Sequence, residues 1–394
     1  MSAPTVVSQV RQWLRCHIGE KIDTSSLERL TLLVVGIMRA ESASPARIAR
    51  ALDQLGLSEA KPASIERRIR RIENDPEINA ALCLHPTARH HLLWGRPQQL
   101  LLVIDPTTQD DRVVMVSVGV WYRGRTLPLA WAIWPANTPL TGDGFWTRVA
   151  ALLDLVAKLL PARVQIIWLA DRAFGTPAFI DLLIARGWYY VVRVQSHTRC
   201  RDRCSVERAI GSMVQGRGRR VKLWGEVFKK RGWREASVVV YWGRHHKKPL
   251  CLVSNLPPSW WLIGLYRRRY PIEATFRDYK SYGWHWEQGQ VTVLAHLERL
   301  LVGMALATWA ALMAGTQMAT ELLTQPATGR RRTVPWEGKR SLFYLGLHRL
   351  QTMMTGTRLS HIHWRLTGWD APNWQSEIYS HHARAFVFAG RSHA

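Results

Sequence analysis

The sequence predicts a mixed α/β fold, with a helical region before it and a β-rich, basic segment inserted into it. Apolar runs of strand length alternate with helical patterns over residues 96–196, which favours a sheet covered by helices. Helical periodicity prevails over residues 1–95 and again over 257–317. Hydrophobic residues make up 47% of the 394-residue chain and charged residues 21%, so the composition is that of a folded protein.

The N-terminal region, residues 1–95, is expected to be a helical domain. Leu27–Ala40 has the pattern of a strongly apolar helix. Ser44 and Pro45 then look like an N-cap followed by a proline in the first helical turn. The helix that they begin is expected to end at Gly56.

A second short helix is expected from about Pro62. Its apolar face consists of Ile65, Ile69 and Ile72. The arginines that lie mostly off this face are Arg67, Arg68, Arg70 and Arg71. Two short helices of which the second is basic resemble a helix-turn-helix. An ordinary helical hairpin with a solvated basic face fits the same pattern.

Two predicted strands are each followed directly by an acid. Leu100–Ile104 precedes Asp105, and Val164–Ala170 precedes Asp171. The carboxyl ends of parallel strands form the edge at which open α/β sheets place their sites. A pair of Mg²⁺ ions at this edge needs a further carboxylate, because ions roughly 4 Å apart share oxygen ligands. Taken singly, each acid could instead be a cap or turn residue.

The other elements of the 96–196 segment complete the alternation. A hairpin is expected around Arg123–Arg125, and its strands are 113–120 and 127–134. The remaining expected elements are helices 145–160 and 176–186 and a strand over 188–194.

Residues 197–256 break this rhythm and carry a large surplus of positive charge. From residue 199 to residue 250 there are 15 Lys and Arg against 4 Asp and Glu. The pieces with strand-like sequence are 221–228, 236–241 and 250–254. We expect a β-rich insertion that touches phosphates, with Lys229 and Lys230 among the contacting residues.

A third candidate acid lies at the start of the next helical segment. Glu273 has Arg269, Arg277 and Lys280 at i−4, i+4 and i+7, the positions that share its helical face. Spare positive charge beside one carboxylate suits a site for phosphodiester chemistry. A surface ion-pair ladder is the alternative, and Asp278 is the alternative choice of third acid.

Four residues of this segment have the spacing Y-x2-R-x3-E-x6-K; they are Tyr266, Arg269, Glu273 and Lys280. This spacing resembles the signature of the transposases of bacterial insertion sequences of the fourth family. The segments VIDPTT around Asp105 and WLADRAF around Asp171 are similar to the family's two upstream acidic strands. IENDP at 72–76 resembles a segment that follows the family's DNA-reading helix. The resemblance covers residues 40–315, approximately.

The resemblance implies a cut-and-paste DNA transposase with a ribonuclease-H-like mixed-sheet catalytic core. Asp105, Asp171 and Glu273 would be its catalytic residues and would bind two Mg²⁺ ions, with Mn²⁺ as a substitute. The Tyr, Arg and Lys of the signature would hold phosphates beside the acids. The implied partner is double-stranded DNA, both as terminal inverted repeats and as target. Because two DNA ends are paired, a homodimer is the expected assembly.

One part of the sequence departs from this family. The family uses a tryptophan of the insertion to receive a flipped base, which eases formation of a DNA hairpin. At the nearest matching place this chain has Pro249 and Leu250. The base-stacking candidates are therefore Trp242, Trp260 and Trp261.

The net charge of +25, from 54 Lys and Arg against 29 Asp and Glu, favours a polyanionic partner. A membrane surface would require an anchor, but the longest apolar stretch, 300–314, is shorter than the ~20 residues of a membrane span. We therefore expect a buried helix there and no membrane partner. Five cysteines suit a reducing compartment, so a cytoplasmic, nucleoid-associated protein is expected.

The expected domains are a helical DNA-binding domain (1–95), the first part of the catalytic core (96–196), the insertion (197–256), core helices with the third acid (257–317), and a C-terminal region for dimerisation or DNA contact (318–394). The last of these contains a basic patch at Arg330–Arg332. Two functional alternatives use the same residues. One is a ribonuclease-H-like nuclease or resolvase without strand transfer, and the other is a catalytically dead DNA-binding derivative.

Overall fold

The computed structural model describes residues 3–56, 61–72, 74–95, 97–138, 140–289, 291, 293–324, 341–356 and 361–366. Glu73, the basic patch at Arg330–Arg332 and much of the predicted C-terminal region lie outside the described residues. The predicted domain boundaries remain predictions.

The described residues form one large sheet and eleven helices. They are α1 (Ala3–Ile18), α2 (Thr24–Ala40), α3 (Pro45–Gln54), α4 (Pro62–Ile72), α5 (His85–Gly95), α6 (Gly144–Ala157), α7 (Pro177–Ile184), α8 (Trp261–Arg267), α9 (Pro271–Arg277), α10 (Leu294–Thr324) and α11 (Leu342–Met354). Short π-helical and 3-10 turns connect some of them. The helices predicted over 27–40, 46–55, 145–160 and 176–186 are confirmed, with shifts of a few residues at their ends.

The strands form a single ten-stranded sheet. They are β1 (Gln99–Gln109), β2 (Val113–Tyr122), β3 (Arg125–Pro135), β4 (Gln165–Ala170), β5 (Tyr189–Arg193), β6 (Arg199–Asp202), β7 (Glu207–Ala209), β8 (Arg220–Val227), β9 (Arg234–Tyr241) and β10 (Leu250–Ser254). Their spatial order is β3-β2-β1-β4-β5-β10-β9-β8-β6-β7.

The first half of this sheet has ribonuclease-H-like topology. Strand β1 pairs in parallel with β4, and β4 pairs in parallel with β5. Strands β2 and β3 form an antiparallel meander on the outer side of β1. The turn between them is made by Arg123 and Gly124, both with positive φ, as a two-residue hairpin of this kind requires. The predicted mixed α/β fold class is confirmed.

The basic segment continues the same sheet. Strand β10 pairs antiparallel with β5, and β9, β8, β6 and β7 follow outward. The predicted strands at 221–228, 236–241 and 250–254 are confirmed as β8, β9 and β10. Strands β6 and β7 were not predicted, because Arg199–Asp202 and Glu207–Ala209 are short, charged and without apolar alternation.

Two predicted boundaries are wrong. Asp105 does not end its strand: β1 continues to Gln109, because β2 keeps pairing with it after the ladder to β4 has stopped at Ile104. Arg269 and Glu273 were predicted to share one helical face, but this segment is divided into α8, α9 and a π-helical turn, and Arg269 lies between α8 and α9. Pro271 stands at the start of α9 and explains the first break, since proline has no N–H with which to continue a helix.

Helix α10 is the central helix of the core. By length and composition, 294–321 could cross a membrane, but 89% of its apolar window is buried inside the protein. The residues from Leu301 to Ala314 are all buried, which confirms the predicted buried helix. At the crossing with α11, Gly346 lies against the backbone of Ala311. The indole of Trp309 donates to the Pro128 carbonyl at 2.9 Å and fixes α10 to β3.

Candidate active site

Asp105 and Asp171 lie side by side at the carboxyl edge of the two central parallel strands. The last parallel pair between β1 and β4 is Ile104 with Ala170, and each acid is the next residue along its strand. Strands β1 and β4 therefore bring together two carboxylates that are 66 positions apart in the chain, as the sequence predicted.

Helices α8 and α9 bring the signature residues to this edge. On α8, Leu262, Leu265 and Tyr266 are buried in a cluster with Val103 and Leu169, which precede the two acids by two residues each. Helix α9 is fixed against the β2–β3 hairpin through a hydrogen bond from the Thr275 hydroxyl to the Thr126 carbonyl, at 3.3 Å. Glu273 then lies in the first turn of α9.

A single guanidinium connects two of the three candidate acids. Nη1 of Arg269 donates to Oδ2 of Asp105 at 2.8 Å, and Nη2 donates to Oε1 of Glu273 at 2.5 Å. The side chain of Arg269 is 4% exposed, that of Asp105 is 14% exposed and that of Glu273 is 53% exposed. A buried cation thus stands between two carboxylates.

Asp171 is held by a separate pair of donors. The Tyr266 hydroxyl donates to its Oδ1 at 3.0 Å, and Nη1 of Arg193 approaches the same oxygen at 3.5 Å. The ring of Tyr266 lies 5.7 Å from the Arg269 guanidinium, so one aromatic ring separates the two groups of contacts. Arg193 was not predicted. A partial signal was available, because Arg193 lies near the end of the strand predicted over 188–194, and this strand pairs with β4 in the structure.

The electrostatics of the two aspartates differ. The pKa of Asp105 is raised to about 6, chiefly by burial and also by the charges of Asp171 and Glu273, while Arg269 acts to lower it. Burial also acts to raise the pKa of Asp171, but the Arg172 backbone N–H and the Tyr266 hydroxyl outweigh it and lower that pKa below its usual value. Three carboxylates thus lie near two cations at this edge, with Arg269 between Asp105 and Glu273 and Arg193 beside Asp171.

The donor set suits a hard divalent cation, which prefers carboxylate oxygens. Within the described ranges, no three Asp, Glu, His or Cys side chains are gathered closely enough to hold a metal ion. At this site the Arg269 guanidinium occupies the space between Asp105 and Glu273 and supplies the positive charge that these carboxylates require. The negative charge of the site therefore suits a metal cation. In this structure the Arg269 guanidinium lies between Asp105 and Glu273.

The last signature residue and the alternative acid lie apart from this contact network. Lys280 is in the π-helical turn after α9, and its Nζ lies 3.4 Å from Oε1 of Glu287. Asp278 faces Arg125 at 3.7 Å. Burial raises the pKa of Asp278 to about 6, with Arg125 and Arg277 opposing. In the part of the chain that the structure describes, Asp278 makes no hydrogen bond or ion pair that links it to the other candidate acids.

The predicted base-stacking residues differ in how accessible they are. Trp260 is half-buried, with the Arg220 guanidinium 4.5 Å and the Lys222 amine 5.5 Å from its ring. Trp242 is half-buried too, and its indole donates to the His246 carbonyl. Trp261 is 50% exposed, so it has the most open ring of the three.

The predicted DNA-contacting cations fall into two groups. On α4 the apolar residues are buried and the candidate cations are exposed; the latter are Arg67, Arg68 and Arg71. In the insertion, Lys229 is bonded to Glu207 at 2.7 Å. Lys230 is exposed and makes no ion pair in the part of the chain that the structure describes. The DNA contacts themselves remain predictions.

The fold and site together define a ribonuclease-H-like domain with an acidic edge. Residues 147–310 match the model of a protein family described as the transposase DDE domain. This stretch is similar to a class of DNA-cutting domains that generally use divalent metals. It contains Asp171 and Glu273 but begins after Asp105, and it covers less than half of the chain.

Curated proteins gave no significant match. Among solved structures, the chain is similar to one described as a cryo-EM structure of the piggyBac transposase synaptic complex with hairpin DNA. The identity is 11% and the TM-score 0.47, over 89% of this chain and 77% of that chain.

Proposed function

We propose that this protein is a cut-and-paste DNA transposase that cleaves the ends of its element and joins them to target DNA. The observation that carries the proposal is the arrangement around Arg269. A buried guanidinium bridges Asp105 and Glu273, beside Asp171 at the carboxyl edge of the sheet, in a chain that matches a transposase DDE domain.

Asp105, Asp171 and Glu273 would hold two Mg²⁺ ions, with Mn²⁺ as a substitute. Bound there, such ions activate the attacking oxygen and stabilise the departing oxygen of a phosphodiester. The chain's own residues position the site. Tyr266 orients Asp171 through its hydroxyl, and Arg269 has a planar pair of donors that match phosphate oxygens.

The remaining features complete the proposed cycle. The exposed arginines of α4 would read the terminal inverted repeats, and a homodimer would pair the two ends. A hairpin intermediate is part of the proposal, with Trp261 as its most accessible stacking residue. The protein would act in the cytoplasm, associated with the nucleoid.

The test is cleavage and joining of a labelled duplex that carries the element's terminal repeat, in Mg²⁺. Glu273→Gln should abolish both reactions and keep DNA binding. Asp278→Asn is the matched control, since Asp278 is an acid five residues further on that contacts Arg125 instead, and it should retain both reactions.

Each other outcome identifies a different error. If Asp278→Asn abolishes cleavage while Glu273→Gln retains it, the third acid is wrong. Wild-type cleavage without joining would identify a nuclease. Tight, specific DNA binding without metal-dependent cleavage would identify a catalytically dead derivative.

A further inference from the structure

The positive charge of residues 199–250 is divided unequally between the two ends of the strands. All four acids of this segment, Asp202, Glu207, Glu226 and Glu235, lie near one end, together with eight of its 15 cations. The other end has seven cations and no acid. We call these seven residues the cationic rim: Arg217, Arg219, Arg220, Lys222, Arg244, Lys247 and Lys248.

At the acidic end, most cations are already neutralised. The ion pairs there are Arg199–Glu207, Arg201–Glu226, Arg208–Asp202, Lys229–Glu207 and Arg234–Asp181. Every residue of the cationic rim is exposed. In the described ranges none of them makes an ion pair with an acid. The rim is therefore the part of the insertion in which every cation is free for a partner, whereas at the acidic end this holds only for Arg203, Lys230 and Arg231 among eight cations.

The register of the sheet puts the rim at the same edge as the acids. Lys222 pairs with Val239, Val239 with Leu252, and Leu252 with Arg193. Arg193 in turn lies 3.5 Å from Asp171. Lys222 therefore lies at the same level of the sheet as Arg193, next to the candidate active site. The residues that precede Lys222 lie beyond this level, at the edge of the sheet where the acids are.

Backbone hydrogen bonds hold the two halves of the rim together. The N–H of Gly218 donates to the Trp242 carbonyl, and the N–H of Trp242 donates to the Arg219 carbonyl. Two cations of the rim, Arg220 and Lys222, also lie over the ring of Trp260, which immediately precedes α8. The rim is thereby connected to the helix that carries Tyr266.

We infer that the cationic rim binds the backbone of the same DNA duplex whose phosphodiester lies at the acids. From β1 to β8 there are five strand spacings of about 4.8 Å, or roughly 24 Å. At 3.4 Å per nucleotide, this distance corresponds to about seven nucleotides from the cleaved phosphate. The inference rests on the proposed function for the position of that phosphate.

An anionic membrane is the other polyanion to consider. Membrane-surface binding by a basic segment usually adds exposed apolar side chains that enter the bilayer. The large hydrophobic residues that are exposed in the described chain include none from 217–222 or 242–249. The observations therefore favour DNA.

The first experiment measures affinity for a labelled duplex as a function of salt concentration, without divalent metal. Arg217→Gln/Arg219→Gln removes two charges from the rim. Arg203→Gln/Arg231→Gln removes two exposed arginines from the acidic end and is the matched control. Because each lost phosphate contact lowers the salt slope by about 0.9, the rim variant should lose about two units of slope. Its affinity at 0.1 M salt should fall at least about tenfold.

Equal losses in the rim variant and the control would overturn the inference, as would no loss in either. Lys247→Gln/Lys248→Gln provides a second rim variant in case the first unfolds, which thermal melting would show. Vesicles containing 30% phosphatidylserine test the membrane alternative. Rim variants that lose vesicle binding and keep DNA binding would refute DNA as the partner.

The second experiment locates the contact along the DNA. Duplexes are shortened stepwise on either side of the cleaved phosphate, and the wild type is compared with the rim variant on each. On one side, the difference in affinity should disappear once fewer than about seven base pairs remain. A difference that persists on the shortest duplexes would place the rim elsewhere. If no duplex is cleaved, the proposed function fails, but the salt dependence still decides whether the rim binds DNA.

Discussion

The guanidinium of Arg269 is expected to stabilise the metal-free protein, and its removal tests the geometry of the site directly. Arg269→Gln leaves Asp105 buried beside two other carboxylates without a bonded cation. Breaking a buried, hydrogen-bonded ion pair by removing one partner costs about 3–5 kcal/mol. The contact with Glu273 adds little, because that side chain is half-exposed and exposed pairs contribute about 0–1 kcal/mol.

We therefore expect Arg269→Gln to lower the free energy of unfolding by about 3 kcal/mol in the absence of metal. Glu273→Gln should lower it by less than about 1 kcal/mol. The assay is urea unfolding followed by tryptophan fluorescence in EDTA, because urea does not screen charges. In the double variant Asp105→Asn/Arg269→Gln, the two losses should fall short of additivity by about 1–2 kcal/mol, as expected for residues in contact.

Mg²⁺ provides the complementary measurement. If the guanidinium stands where a cation is required, millimolar Mg²⁺ should raise the stability of Arg269→Gln more than that of the wild type. Asp278→Asn is the control and should respond to Mg²⁺ as the wild type does. Additive effects of Asp105→Asn and Arg269→Gln, together with equal Mg²⁺ responses, would refute the bridging role that the structure gives to Arg269.

Three further predictions concern other parts of the molecule. His91 is buried, and burial together with the charges of the neighbouring histidines lowers its pKa to about 3. Between this pKa and the ordinary histidine pKa, the ring is neutral in the folded protein but protonated in the unfolded chain. The contribution of neutral His91 to the free energy of unfolding should be present above pH 6.5 and should fall by about 1.4 kcal/mol on going down to pH 5.5. His91→Gln should therefore flatten the pH dependence of urea unfolding, and an unchanged slope would contradict this. A Cβ at position 346 would overlap the Ala311 carbonyl, so Gly346→Ala should cost about 3 kcal/mol or more, and a melting temperature equal to that of the wild type would disprove the close helix crossing. Tyr266→Phe removes the hydrogen bond to Asp171 and should cost about 1 kcal/mol of stability but slow DNA cleavage much more; equal cleavage rates would contradict the positioning role.

Asp105 and Asp171 could be located from the sequence because each follows an apolar run of strand length. The full length of β1 could not be predicted, because its last residues pair with β2 alone. The spacing of Arg269 and Glu273 predicted that they are neighbours on one helix; the contact is present, but Arg269 lies in the turn before α9. The contact of Arg269 with Asp105 joins residues 164 positions apart, and no local pattern encodes it.

The charge of the insertion shows a different limit of sequence reasoning. Lys229 and Lys247 look equivalent in the sequence, since both belong to short basic clusters. They differ because the β6–β7 hairpin brings Glu207 to Lys229, and this hairpin has no apolar alternation by which to predict it. The charge count therefore predicts a basic insertion. It does not predict at which end of the strands the cations stay unpaired by acids.

The placement of the cationic rim relative to the acids depends on one short ladder. Strands β5 and β10 share three residue pairs, ending at Leu252 with Arg193. Asn255 reinforces this joint, because its side chain accepts from the Tyr190 N–H and donates to the Trp188 carbonyl, both at 3.0 Å. A slip of one residue would turn the side chains of β10 to the opposite face of the sheet, so the buried Cys251 and Val253 oppose it. The fixed register makes the insertion a rigid extension of the catalytic sheet, and a rigid extension can set the distance between a phosphate at the acids and phosphates at the rim.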